Sequence, residues 1–189
     1  MIDKSVPYIP VVMRRNPGLP LPVCPLPKGF TYQLYQPGYE KEWARIETSV
    51  GEFDCEMDAL LYYQKEFLSY PDELSRRGIF IAAPDGELVG TASAWWDYAG
   101  QRRHPIIHWV AVKPNYQGKG LGKAIIAEVL RLMTVVDGDD TFFLKTQTPS
   151  HKAIGMYEWA GFYITDEKNI LGCPNDRYDE AVALLASLR

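Results

Sequence analysis

Val110-Ala-Val-Lys-Pro-Asn-Tyr-Gln-Gly-Lys-Gly-Leu-Gly-Lys-Ala124 carries an apolar run through a glycine-rich turn straight into a helical pattern. Glycines at alternate positions, Gly118, Gly120 and Gly122, remove side chains where backbone must approach a ligand. The helix start behind them offers unpaired N–H groups and the positive end of its dipole. Such a turn grips a phosphate or merely packs tightly, and spacing narrows the choice. A Walker loop needs glycine five residues before a Gly-Lys pair and Ser or Thr after it; here Gln117 and Ala124 hold those places. The dinucleotide pattern G-x-G-x-x-G, begun at Gly118, would need glycine where Lys123 stands, and no early strand-helix-strand unit surrounds it. ATP, GTP and NAD recede together.

The residues do match Gln-x-x-Gly-x-Gly, as Gln117, Gly120 and Gly122, behind a strand expected over residues 106–112. A second pattern follows at the right distance: Ser150-His-Lys-Ala-Ile-Gly-Met-Tyr-Glu-Trp-Ala-Gly-Phe162, with a polar helix cap at Ser150, then Ala153, Tyr157, and Gly161-Phe162. In that order the two motifs resemble the acyl-CoA pyrophosphate loop and the helix beyond it in the GNAT superfamily of N-acyltransferases. The resemblance covers roughly residues 30–163, with its clear motifs in 106–162.

What the resemblance implies is specific. The fold is expected to be α/β, a GNAT fold with a mixed, mostly antiparallel central sheet flanked by helices. Acetyl-CoA is the expected co-substrate, and no metal is needed. Main-chain N–H groups of Gln117, Gly118, Lys119, Gly120, Leu121, Gly122 and Lys123 would hold the pyrophosphate, with the two lysines as supplementary charge. Val110, Ala111 and Val112 would pair with the pantetheine arm like an added strand. The Tyr157 hydroxyl would approach the sulfur as the thiolate leaves. Ser150 stands where Asn is usual, keeping an oxygen to cap its helix or contact the coenzyme but losing the amide.

Composition bounds the rest. With 189 residues, 47% of them apolar, the chain can bury one good core, perhaps with an appendage, but hardly two full domains. A net charge of −4 offers no basic surface for phosphate backbones, and no run of eighteen apolar residues can cross a bilayer. Neither nucleic acid nor membrane is an expected partner. Cys24, Cys55 and Cys173 are odd in number and widely spaced, and the N-terminus lacks a signal-like apolar core, so a reducing cytoplasm is expected.

Residues 1–28 differ from 29–189, the expected catalytic domain. Pro7, Pro10, Pro17, Pro20, Pro22, Pro25 and Pro27 oppose helix, giving a proline-rich N-terminal arm. Its apolar residues, Val6 to Met13, are expected to dock on the globule or on a second subunit, as a homodimer would allow. Alternation then predicts a strand over 30–36. Two helices follow, one burying Trp43, Ile46 and Val50, the next burying Met57, Leu60, Leu61 and Phe67 and closed by Pro71. Asp85-Gly86 marks a hairpin between strands 78–84 and 88–96. A helix is expected over 120–136, strands over 141–148 and 162–170, and a terminal helix over 176–188.

Acyl transfer to an amine needs a base, because an alkylamine with a pKa of about 10 is mostly protonated at neutral pH. His108 is the strand side chain suited to it: imidazole titrates near neutrality, and no Asp or Glu occurs over residues 101–115. By period two, His108, Val110 and Val112 should share one sheet face. Packing beside Trp109 is the competing role. Glu52, Asp54, Glu56 and Asp58 gather between the two early helices, where they would draw a cationic acceptor or simply suit a helix start. Of Trp95 and Trp96, at most one can line a cleft. No cysteine lies in either motif, which favours direct attack over an acyl-enzyme. The acceptor is therefore a primary amine of a small molecule or peptide; a catalytically silent acyl-CoA sensor would keep both motifs.

Overall fold

The computed structural model describes residues 2–188. Among them, seven strands form one sheet: β1 (Pro10–Arg15), β2 (Thr31–Leu34), β3 (Gly78–Ala82), β4 (Leu88–Ala99), β5 (Arg102–Val112), β6 (Phe142–Gln147) and β7 (Tyr163–Ile164). Their order is β2-β3-β4-β5-β6-β1-β7, antiparallel throughout except where β5 meets β6. Helices α1 (Tyr39–Val50) and α2 (Glu56–Glu66) cover one face; α4 (Leu121–Asp137), α5 (His151–Trp159) and α6 (Tyr178–Ser187) pack on the other. The mixed α/β sheet read from the sequence is the one observed.

The proline-rich segment is more than an arm. Val11, Val12 and Met13 are buried in β1, which lies inside the sheet between β6 and β7. Pro10 opens the strand, where a missing N–H costs least. The residues before it are tied down as well: Thr148 N donates to Ile9 O at 3.0 Å, Thr148 Oγ1 accepts from Ile9 N at 2.9 Å, and Asp3 N donates to Pro149 O at 2.9 Å.

Helix α2 turns a different face inward from the one expected. Phe67 is buried as expected, but Met57 and Leu61 are 62% and 55% exposed and Ala59 and Tyr63 are buried in their place. Trp43 is the reason: its ring lies 4.8 Å from that of Tyr63 and stacks on Tyr62, so aromatic area outweighs the aliphatic stripe. Pro71 does not simply close this segment. It is the first residue of α3 (Pro71–Arg77), where proline is preorganised and its lost N–H had no partner. Arg77 then reaches Asp137 at the end of α4 with bonds of 2.7 and 2.8 Å, tying the two sides of the sheet together. The last strand is shorter than the expected 162–170. Asn169, Leu171 and Asn175 take positive φ, and Asn175 Nδ2 donates to Thr165 O at 2.7 Å, which folds the chain out of the sheet after Ile164.

Candidate active site

Strand β5 decides the site because its alternation breaks. Thr91 pairs with Ala111 but Ser93 pairs with His108, so Trp109 and Val110 together oppose Ala92 in a β-bulge. Trp109 has φ of 50°, a conformation that costs a bulky residue on the order of 1–3 kcal/mol. Its indole holds it there: Nε1 donates to Tyr62 Oη at 3.3 Å, and the ring meets Trp43, Phe53 and Tyr62 at 5.2–5.5 Å.

The bulge corrects the shared-face reading of His108. His108 and Trp109 both turn toward α2, with the His108 ring 5.9 Å from Phe67 and Nε2 at 3.5 Å from Tyr62 Oη. Val110 and Val112 turn to the opposite face, packing with α4. Burial, with a smaller push from the Lys145 charge, lowers the His108 pKa to about 3, although Asp97 opposes it. Imidazole so placed is neutral and a poor proton acceptor. Trp95 and Trp96, whose rings stack at 4.2 Å, belong to the same aromatic layer. Cys24 lies outside it, its Sγ 4.0 Å from Gly120 O at the start of α4.

Beyond the parallel contact at Ile106 and Phe143, the free side of β5 borders a cleft of about 390 Å³. Val110, Ala111 and Val112 form its strand wall. Gln117, Gly118 and Gly122 form the loop end, and Ser150 and Tyr157 close the far side. The motif residues take distinct jobs. Gln117 Nε2 donates to Val112 O at 2.8 Å, clamping the loop to the strand end and occupying one lone pair there. Gly118 and Gly120 have φ of 77° and 85°, and a Cβ on either would meet nothing within 4 Å. Gly122 is different, since a Cβ there would sit 2.9 Å from Met156 Sδ, so its bareness lets α4 approach α5. Glu87 holds the loop from beneath, accepting from Lys113 Nζ and Tyr116 Oη, each at 2.7 Å.

Lys119, Gly120, Leu121 and Lys123 do not border this cleft. Gly120 caps α4, and Leu121 is buried in the core. The two lysines lie over the rings of Tyr116 and Trp159, each at 4.9 Å, a cation–π rest from which a flexible side chain can swing. The first-turn N–H groups of α4 still point out of the helix end without intrahelical acceptors. Ser150 caps α5 by position, yet its hydroxyl makes no capping bond, leaving that oxygen to the cleft.

Tyr157 is 7% exposed, and its ring packs edge-on against Phe162 at 6.2 Å. Burial raises the pKa of its hydroxyl, and the nearby Glu47 and Glu52 raise it further, so it stays a proton donor. These carboxylates are what sequence reasoning underweighted. Glu52 lines the cleft beside Val50. Glu47, 1% exposed, has an Oε1 without a hydrogen-bond partner. Its position was readable: Glu47 follows Trp43 by four residues on the buried stripe of α1, where an acid is out of place.

A model of the acetyltransferase (GNAT) family matches residues 31–162. The chain belongs to that family. Strand β1 lies outside the matched span, so this GNAT sheet takes in a segment that precedes the span. Mycothiol acetyltransferases are among its relatives: that of Streptomyces coelicolor is 27% identical over 155 residues, 82% of this chain and 49% of its own length. That of Streptomyces bingchenggensis is 30% identical over 161 residues, 82% of this chain and 51% of its own length. The chain thus spans about half the length of the curated relatives it matches. A GCN5-related N-acetyltransferase from Sphaerobacter thermophilus superposes with a TM-score of 0.63 over 84% of this chain and 50% of its own, at 22% identity. That likeness speaks for the GNAT fold.

Proposed function

We propose that the protein is an acetyl-CoA-dependent N-acetyltransferase, moving the acetyl group to a primary amine by direct attack while both substrates are bound. One observation carries the reading: a single cleft joins the β5 wall, the Gln117 loop and the Tyr157 hydroxyl. In it, the first-turn N–H groups of α4 hold the pyrophosphate, and Lys119 and Lys123 leave their aromatic rests to add charge. The open edge of β5 pairs with the pantetheine arm as a further strand would. Tyr157 donates its proton toward the departing sulfur, its high pKa keeping that proton available across the neutral range. None of the three cysteines lines the cleft, which favours direct attack over a covalent relay. All three are free thiols, which supports a reducing cytoplasm as the place of work.

The acceptor is an amine on a small molecule or a peptide, reached from the side of the cleft that Glu52 borders. The test is release of free thiol from acetyl-CoA with a panel of polyamines, amino sugars, amino acids, peptides and compounds related to mycothiol, with the acetylated product weighed by mass spectrometry. Thiol release with a matching acetamide is expected. Tight coenzyme binding with no release on any amine would instead mark a sensor.

A further inference from the structure

We propose that Glu52 is the proton acceptor for the attacking amine and that Glu47 behind it is a positioning residue, so that α1 and the turn after it, not strand β5, supply the base. The inference rests on the N-acetyltransferase reading and concerns the acceptor half of the same cleft. Glu52 is half-buried on the cleft wall, bordering the same space as Tyr157. Backbone ties it to its neighbour, Glu52 N donating to Glu47 O at 3.2 Å as α1 ends at Gly51. Glu47 is enclosed, with one oxygen unpartnered, and Trp43 Nε1, one turn earlier on the same helix, is unpartnered too. A wholly structural stripe would carry apolar residues at both positions. Both atoms are enclosed and neither residue lines the cleft, so Glu47 can act on the chemistry only through Glu52, which does line it.

The electrostatics divide the labour. Burial, and then the charge of Glu52, raises the Glu47 pKa well above the ordinary carboxylate value, which favours its protonated form behind Glu52. Burial raises Glu52 as well, which makes it a stronger base than a solvated carboxylate. Tyr157 stands close enough for both acids to raise its own pKa. Acid and base thus face the same space.

The proton balance closes with these groups alone. Glu52 takes one proton from the acceptor's ammonium, freeing the nitrogen lone pair. That pair forms the C–N bond at the thioester carbonyl as the C–S bond breaks. Tyr157 gives its proton to the leaving sulfur and regains one from the acylated nitrogen, while Glu52 releases its proton to solvent.

Two small nucleophiles test this without knowledge of the natural acceptor. Ethylamine is largely protonated at neutral pH and needs a base, whereas hydroxylamine is largely unprotonated and does not. With acetyl-CoA and thiol detection, Glu52→Gln should lose about 100-fold or more in kcat/KM toward ethylamine and stay within about threefold toward hydroxylamine. Glu52→Asp should recover part of the ethylamine rate. Glu47→Gln should lower kcat with ethylamine by about tenfold at unchanged KM for acetyl-CoA. Ethylamine turnover within about twofold of the unaltered protein in Glu52→Gln, or equal losses toward both nucleophiles, would overturn the assignment while leaving the N-acetyltransferase reading intact. Absence of thiol release from the unaltered protein with either nucleophile would overturn both.

Discussion

The two halves of the cleft are built by opposite means. The half proposed for the coenzyme uses backbone: the β5 edge, the loop through Gln117 and the start of α4 are nearly continuous in sequence, and their side chains mostly serve the scaffold. The side proposed for the acceptor uses side chains: Val50 and Glu52 border the cleft next to the aromatic layer that α1, α2 and the bulge of β5 bury together. Backbone recognition needs fixed φ and ψ and so constrains a short run of residue types. Side-chain recognition needs only proximity, which distant residues can supply in many combinations. One half is therefore written as a motif, and the other is not.

The sharpest way to break that division is at the seam. Tyr157→Phe removes the proton donor without altering the strand or loop, so kcat should fall by about 10²–10⁴-fold while the dissociation constant for acetyl-CoA, measured by calorimetry, stays within about twofold. A matching loss of coenzyme affinity would mean that Tyr157 belongs to the backbone half.

A smaller effect should confine itself to the coenzyme side. Gly120→Val places a β-branched residue at φ of 85°, which should cost about 1–3 kcal/mol in urea unfolding. Distortion of the helix cap should weaken acetyl-CoA by about tenfold, with any acceptor KM nearly unchanged. Equal damage to both substrates would show that the halves are mechanically coupled.

The smallest change concerns the acceptor side. Because His108 titrates near 3 when folded and near 6.5 when unfolded, the unfolded chain binds the extra proton between those values, and folding weakens as pH falls below about 6.5. His108→Leu should remove about 1–2 kcal/mol of that loss between pH 6.5 and 5, read from urea midpoints, and leave turnover within a few-fold at pH 7.5. A hundredfold loss of turnover would return His108 to the chemistry.

Legibility followed the same line. Gln117, Gly118, Gly122, Ser150 and Tyr157 could be picked out because local rules, a strand running into a glycine turn and a capped helix, place them. The sheet face of His108 was misread because period two fails at a bulge, and nothing in residues 106–112 announces that Trp109 will adopt a left-handed φ; the Trp43, Phe53 and Tyr62 rings that hold it come from other elements. The inward face of α2 was misread for a related reason, Trp43 choosing tyrosines over leucines. Glu47 left a readable trace as an acid on an apolar stripe, whereas the place of Glu52 on the cleft wall depends on how α1 and the turn after it pack across β5.

By itself, the sequence determined the glycine-rich loop after β5 and the helix bearing Tyr157, because each is specified by residues close along the chain. Tertiary structure alone decided that Pro10–Arg15 would enter the sheet, that β5 would bulge, and that Glu52 and Tyr157 would line one cleft. These outcomes depend on packing between segments more than thirty residues apart, where burial of aromatic and aliphatic area outweighs local preference.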